Sequence, residues 1–247
     1  MSPAFEIKIT TDPAEVREAQ KLRFEVFNLE LNKGLKASYE TGLDADEFDP
    51  YCEHLIVRDR SSGEVIGTYR LLHGARARAH IGFYSEREFN LENIKRLDGE
   101  LLELGRTCAR KDFRERALIP LMWEAIGQYI RERGIRFLFG CGSLYTTEVQ
   151  EVAEVFSMLK RSHYAEEAYR VDPLPHCRFE GLEEDAAIAD APSVFVKLPS
   201  LIKGYLRVGA VVCGPPALDR EFGTADFFLL LDFNTLGSDY LRRLRIA

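Results

Sequence analysis

The chain reads as an α/β protein, a mixed sheet flanked by helices in one domain. Three observations predict it. A strand-like run at 101–109 passes through a basic loop into an amphipathic helix, 117–133, and a second apolar strand, 136–141. Two further apolar runs, 54–57 and 65–72, flank the turn residues Asp59-Arg60-Ser61-Ser62-Gly63. Helical periodicity lies before and after these strands, at 13–32 and 146–161. Strands before, between and after helices make a layered α/β sheet.

Asp12-Pro13 supplies an N-cap with proline at the first helical position. Val16, Ala19, Leu22, Val26, Phe27 and Leu31 then recur at helical spacing to about Asn32, where Gly34 ends the pattern. The acidic stretch 38–53 is too irregular for a core element. Residues 54–57 and 65–72 form a predicted hairpin. Small and basic residues at 74–80 read as a loop, and 86–97 as a short helical stretch. Strand 101–109 ends in Arg110-Lys111-Asp112-Phe113-Arg114-Glu115-Arg116, which opens helix 117–133. In the helix at 146–161, Val149, Val152, Val155, Phe156 and Leu159 share one face. Residues 171–192, with Pro173, Pro175 and Pro192, read as a long excursion, either a lid or a surface loop. Pro199 starts a helix to Val208, and 226–232 is a buried-type strand. Residues 1–195 are the expected core, with 196–247 an extension packed on the same domain.

Composition narrows the class. Hydrophobic residues make up 46% and charged residues 30% of the 247, as in soluble globular proteins. No apolar run nears the ~20 residues of a membrane span, and no secretory signal is expected at the N-terminus. Five cysteines, widely spaced and without a CxxC, argue against a disulfide framework or zinc site and for a reducing cytoplasm. His163 and His176 lack ligand partners at metal spacing, and no metal is expected. A net charge of −7 argues against generic nucleic-acid binding. Basic residues still cluster: Arg76 and Arg78, then 106–116, then Arg131, Arg133 and Arg136, and last Arg242-Arg243-Leu244-Arg245. These are either solvated faces or docking sites for an acidic partner or an anionic membrane.

Glu103-Leu104-Gly105-Arg106 is the string with most chemistry in it. Three apart on a strand, Glu103 and Arg106 point to opposite faces unless the strand is bulged. Alone, they read equally well as a half-exposed ion pair on a sheet surface. Cys108 and Cys141 belong to apolar strands and read as buried structural thiols. His54 is either a base or a satisfied buried histidine, the latter preferred.

Context adds to this. Strand, basic loop, helix and strand in this order resemble the GNAT acyltransferases. Arg23-Phe24-Glu25-Val26-Phe27, Asp46-Glu47-Phe48-Asp49, Gly67-Thr68-Tyr69-Arg70-Leu71-Leu72 and Glu103-Leu104-Gly105-Arg106 follow one another as in acyl-homoserine-lactone autoinducer synthases. The chain is more similar still to the haemolysin-like GNAT acyltransferases of ornithine-lipid biosynthesis. There the likeness adds Cys52-x-His54-Leu55-Ile56-Val57, Gly82-Phe83-Tyr84-Ser85, Glu88-Phe89, Phe139-Gly140-Cys141-Gly142-Ser143 and Leu201-Ile202-Lys203-Gly204-Tyr205-Leu206.

The resemblance implies a GNAT-like fold with a mixed, mostly antiparallel central sheet. It implies transfer of a long-chain (3-hydroxy)acyl group from acyl carrier protein to the α-amine of ornithine, forming lyso-ornithine lipid. By matched motif, Glu103 and Arg106 are the candidate catalytic pair, and Arg23, Asp46, Asp49 and Arg70 the candidate substrate-binding set. Within that set, Glu103 is the expected acceptor of the amine proton. Asp46 and Asp49 suit a cationic side chain, and an arginine suits the α-carboxylate. The open alternatives are another amine acceptor, such as glycine or S-adenosylmethionine, or a non-catalytic lipid-interaction protein.

One departure bears on the donor. A standard GNAT has Arg/Gln-x-x-Gly-x-Gly/Ala where this chain has Arg114-Glu115-Arg116-Ala117-Leu118-Ile119. Without glycine, a close backbone cradle for a coenzyme A pyrophosphate is not expected. Arg110, Lys111, Arg114 and Arg116 instead suit the phosphopantetheine phosphate and the acidic surface of a carrier protein. Acyl carrier protein is thus the expected partner and acyl donor, with acyl coenzyme A the alternative and no bound cofactor. The expected location is cytoplasmic, with peripheral contact to the inner membrane.

Overall fold

Asp12 starts the first helix as its sequence predicts: its side chain accepts from the N–H groups of Ala14 (2.9 Å) and Glu15 (3.2 Å). The computed structural model describes residues 4–114, 118–188 and 190–236, and these fall into two units. The first takes in the chain up to Gly82 together with Glu100–Arg136. The second takes in Phe83–Gly99 and Phe137–Leu236. Arg116 and the arginines of the C-terminal tail lie outside the described residues.

In the first unit, β1 (Phe5–Thr10), β2 (Glu53–Asp59), β3 (Val65–His73) and β5 (Glu100–Ala109) lie side by side, each antiparallel to the next. β1 is unassigned in the sequence reading, because an edge strand of alternating Phe, Ile and polar residues is short and half exposed. Cross-strand register sorts the side chains onto two faces. His54 lies opposite Arg70, Arg70 opposite Gly105, and Leu72 opposite Glu103, so these share one face. Leu55 with Tyr69, and Leu71 with Leu104, share the other. On that apolar face sits α5 (Leu118–Arg133). A Cβ at Gly67 would come within 3.0 Å of Leu118, so glycine there lets the helix close on the sheet.

On the charged face sits α1 (Pro13–Arg23), which buries Ala19 and Leu22, with Val26 beyond it, against Ile56 and Cys108. The larger of these, Leu22, Val26 and Ile56, each contribute about 1.5–3 kcal/mol on burial. The helix does not run on regularly to Asn32. It widens into a π-helix over Phe24–Glu30, and Asn32 with φ +52° turns the chain away. A π turn is a local insertion, and such turns recur at functional sites. After α2 (Ser38–Thr41) the acidic loop returns to β2. The expected loop at 74–80 is instead α3 (Gly74–Ala79), started by the His73 ring accepting from the N–H of Ala75 at 3.2 Å.

In the second unit, β6 (Ile135–Leu144) pairs antiparallel from Phe137 onward with β10 (Thr224–Asp232), which also carries β8 (Val211–Val212) and β9 (Ala217–Asp219). Every residue of β10 is buried. α6 (Val149–His163), α7 (Ala191–Lys197) and α8 (Ser200–Arg207) join this core through Val152, Phe156, Val194 and Ile202, against Phe227 and Leu229. The expected helix at 86–97 is broken. Phe89 is pulled into β4 (Phe89–Asn90), which pairs with β7 (Asp172–Pro173). Asn90 then accepts from the N–H of Glu92 (3.1 Å) to start α4 (Glu92–Lys95) afresh. The excursion at 171–192 is a packed surface loop, with Phe179 and Ala186 buried and the Ala186 N–H donating to Ser157 at 2.8 Å.

Candidate active site

β5 is not a regular strand. Thr68 of β3 pairs with Cys108 and Arg70 with Gly105, so β5 carries one residue more than its partner. Arg106 sits in that bulge with φ +48°. A non-glycine residue in this region costs about 1–2 kcal/mol, and a bulge takes backbone groups out of the ladder. It also answers the question raised by the three-residue spacing. Glu103 lies on the face of Arg70, and Arg106 reaches the same charged network.

That network is built from both ends of the chain segment 20–106. Arg23, at the end of α1 and 1% exposed, donates to both oxygens of Asp49, at 2.9 and 2.7 Å. Arg70, on β3, donates through Nη1 to both oxygens of Asp46 at 2.6 Å and to Asp49 at 3.3 Å. Arg106 donates from Nε to Asp44 at 3.1 Å and from Nη2 to its other oxygen, while Phe27 lies under its guanidinium at 4.4 Å. Asp44 in turn lies 3.0 Å from Nε of Arg23. Buried charges survive only when paired and hydrogen-bonded, and here each aspartate has its arginine.

The three aspartates are not equivalent. Asp49 also accepts from Gln20 (3.0 Å) and from the N–H of Asp46 (3.2 Å), so internal donors surround it. Burial pushes its pKa up, but the hydrogen bonds and charge of Arg23, then Arg70 and His54, hold the carboxyl well below the ordinary range. Asp46 is the more open, its side chain 12% exposed against 4% for Asp49. For Arg70, burial opposes the charge, but Asp46, Cys52 and Asp49 raise its pKa above normal.

Glu103 is 4% exposed, and its charge acts on Cys52 together with those of Arg70, Asp49 and Asp46. Burial pushes the Cys52 thiol up to about 12. The Cys108 thiol is likewise raised to about 12, mainly by burial, as expected of a structural thiol. Cys141 is only partly buried, and its thiol points at Glu88 at 3.5 Å. His54 is fully buried, with Nε2 3.3 Å from the carbonyl of Asp49. Burial lowers its pKa to about 4, so the ring is neutral at pH 7.

The sequence motifs thus bring Arg23, Asp46, Asp49, Arg70, Glu103 and Arg106 onto one face of one sheet. Arg110, Lys111 and Arg114 stand apart, on the loop after β5. Arg110 pairs with Asp112 (2.8 Å) and Glu64, and Arg114 with Glu30 (2.7 Å), all at the surface. Sequence reasoning missed Asp44, Gln20 and Phe27. Asp44 and Asp46 are two apart in an acidic run, and nothing in the run distinguishes the carboxylate that will be buried. In the second unit, Glu88, Cys141 and Asp226 bring metal-ligand atoms within 4.8 Å of one another. Ser85 lies 3.4 Å from the Cys141 sulfur and Thr224 donates to Asp226 at 2.9 Å, so hydrogen bonds serve the group.

Comparison with known proteins fits this geometry. A model described as an acetyltransferase (GNAT) domain matches residues 22–124, which span the whole charged network. The chain is 33% identical to an L-ornithine N(α)-acyltransferase of Brucella abortus, over 96% of this chain and 88% of that one. It is 34% identical to the protein of that name from Rhodobacter capsulatus, over 96% and 93%. Among solved structures, the acyl-homoserine-lactone synthase LasI aligns with TM-score 0.56 at 14% identity, covering 97% of this chain and 93% of that one. At that identity the likeness speaks to the fold alone. With bulged β5, charged sheet face and relatives along almost its full length, the chain belongs to the L-ornithine N(α)-acyltransferase family of GNAT acyltransferases.

Proposed function

We propose that this enzyme moves a long-chain (3-hydroxy)acyl group from an acyl-carrier-protein thioester to the α-amine of L-ornithine, forming lyso-ornithine lipid. Family membership carries the reaction, and the charged face of the first sheet supports the acceptor. With Glu103 ionised, its four carboxylates against three guanidiniums leave one formal negative charge to receive a cationic amino acid. In this reading Asp46, the more open aspartate, meets the side-chain ammonium. Asp49 stands behind it and holds Arg23 and Arg70. Arg106 is the fork for the α-carboxylate.

The α-amine arrives as an ammonium and must lose a proton before it can attack. Glu103 accepts that proton, directly or through water. The amine nitrogen then bonds to the thioester carbon, whose oxygen gains negative charge and needs a donor. A backbone N–H released from the ladder by the β5 bulge supplies it. Collapse breaks the carbon–sulfur bond, the nitrogen gives up its second proton, the departing pantetheine thiolate takes one up to leave as the thiol, and the amide remains. No covalent enzyme intermediate is needed, because a thiolate is already a competent leaving group.

The donor binds beyond β5, where Arg110, Lys111 and Arg114 face an acidic carrier. The present ion pairs of Arg110 and Arg114 are exposed and individually weak, so exchanging partners costs little. Membrane contact, which an amphiphilic product calls for, is peripheral in this reading. Among the described residues no helix is long and apolar enough to cross a membrane. The test is the product mass after mixing protein, 3-hydroxyacyl carrier protein and a pool of amino acids. N-acyl-ornithine that disappears in Glu103→Gln supports donor, acceptor and base together. Acylation of a different amine would replace the acceptor, and transfer only from acyl coenzyme A would replace the donor.

A further inference from the structure

Asp44 is where two of the network's arginines meet. It is 1% exposed, and its main chain is pinned to α1. Its N–H donates to the carbonyl of Gln20 at 3.1 Å, and its own carbonyl accepts from Nε of Arg23 at 3.1 Å and from Nη2. Its carboxylate takes the Nε and Nη2 donors of Arg106, which is a grip on one edge of a planar guanidinium. Phe27 covers the guanidinium face at 4.4 Å. Edge and face together set the plane in which the Arg106 guanidinium lies. The backbone under it is strained at φ +48°, a conformation glycine would adopt without strain. A side chain kept at such a position, and held from two sides, points to a use for its orientation.

We propose that Asp44 is a positioning residue for acyl transfer: it clamps the Nε/Nη2 edge of Arg106 and thereby aims that guanidinium at the α-carboxylate of the incoming amino acid. This rests on the reading of Arg106 as the carboxylate fork. Asp44 touches no substrate; it couples the pinned end of α1 to the bulge of β5, so the fork is already oriented before the acceptor arrives.

The experiment compares L-ornithine with L-ornithinamide, which lacks the α-carboxylate, in the full-length protein. Asp44→Asn keeps the shape and removes the charge. Its KM for ornithine should rise about 10- to 100-fold, the range for losing a charged hydrogen-bond partner, with kcat changed much less. Preference for ornithine over ornithinamide should collapse to a similar degree in Asp44→Asn and in Arg106→Gln. The double variant should be no worse than Arg106→Gln alone. Asp44→Glu keeps the buried charge balanced and serves where Asn does not fold. Its longer arm displaces the fork, and the preference should fall there too. A purely structural Asp44 would slow both acceptors alike, and that result, or losses that simply add in the double variant, would overturn the proposal. If Arg106→Gln itself leaves the preference intact, the carboxylate reading of Arg106 fails first. If Arg106→Gln collapses it and folded Asp44 variants do not, the role of Asp44 fails alone.

Discussion

Arginine occurs in two settings within the first unit. Arg23 and Arg70 are almost wholly buried among aspartates, each making two or more short hydrogen bonds. Arg110 and Arg114, on the loop after β5, pair with Glu64, Asp112 and Glu30 at side-chain exposures of 30% and 36%. The residue types and partners match, yet the energetics differ. Removing one partner of a buried pair strands a charge in a medium that cannot solvate it. Removing one partner of an exposed pair returns the other to water. The buried set is therefore suited to holding a fixed geometry, and the exposed set to trading one anionic partner for another.

Substitutions can break that contrast, and the largest effect is expected inside. Arg23→Ala leaves Asp49 and Asp44 short of a cation and should cost about 3–5 kcal/mol of stability, measured as a shifted urea midpoint. A loss under about 1 kcal/mol would put Arg23 with the surface arginines and end the distinction.

Glu103→Gln separates chemistry from stability within the buried set. It should lower kcat by about 10²–10⁴-fold, the usual worth of a positioned base, while the melting temperature moves little. A variant that keeps its rate would show that the amine loses its proton elsewhere.

His54 gives a pH signature. Its folded pKa is about 4, against about 6.5 in an unfolded chain. Between those values the unfolded state binds more protons, so stability rises with pH across the window and is lost as pH falls toward 4. His54→Gln should flatten this slope, which otherwise amounts to roughly 3 kcal/mol. An unchanged slope between pH 4 and 6.5 in urea titrations would mean that other groups carry it.

The smallest effect on folding is expected outside. Arg114→Glu should change stability by less than about 1 kcal/mol. It should raise KM for the carrier-protein thioester several-fold, with a steeper penalty for acyl carrier protein than for acyl coenzyme A. Added salt should narrow the difference between variant and parent, since exposed charges are screened over about 8–10 Å. Equal KM values for both donors in the variant would argue against carrier docking at this loop.

Much of this was legible in the chain. Asp12-Pro13 marked a helix start, and strands near 54–57, 65–72, 101–109, 136–141 and 226–232 all form, because their apolar runs or alternation are local signals. Segments decided by long-range partners were not legible. Phe89 leaves a helical-looking stretch to pair with Pro173, 84 residues further along the chain. The π turn after Arg23 is likewise invisible, since the same residues fit a regular helix by periodicity.

The site divides along the same line. Sequence by itself determined which side chains are present to form it: Arg23, the acidic run, Arg70, Glu103 and Arg106, in an order that resembles one enzyme family. It also determined that a basic loop without glycine follows β5. Only the tertiary structure decided that β5 is bulged at Arg106, which brings that residue to the network shared by Arg70 and the face of Glu103. Only it decided which acid of the run is buried, making Asp44 the meeting point of two arginines. The reason is physical: residue type is a local property, whereas register, burial and charge pairing arise when distant segments exclude water together.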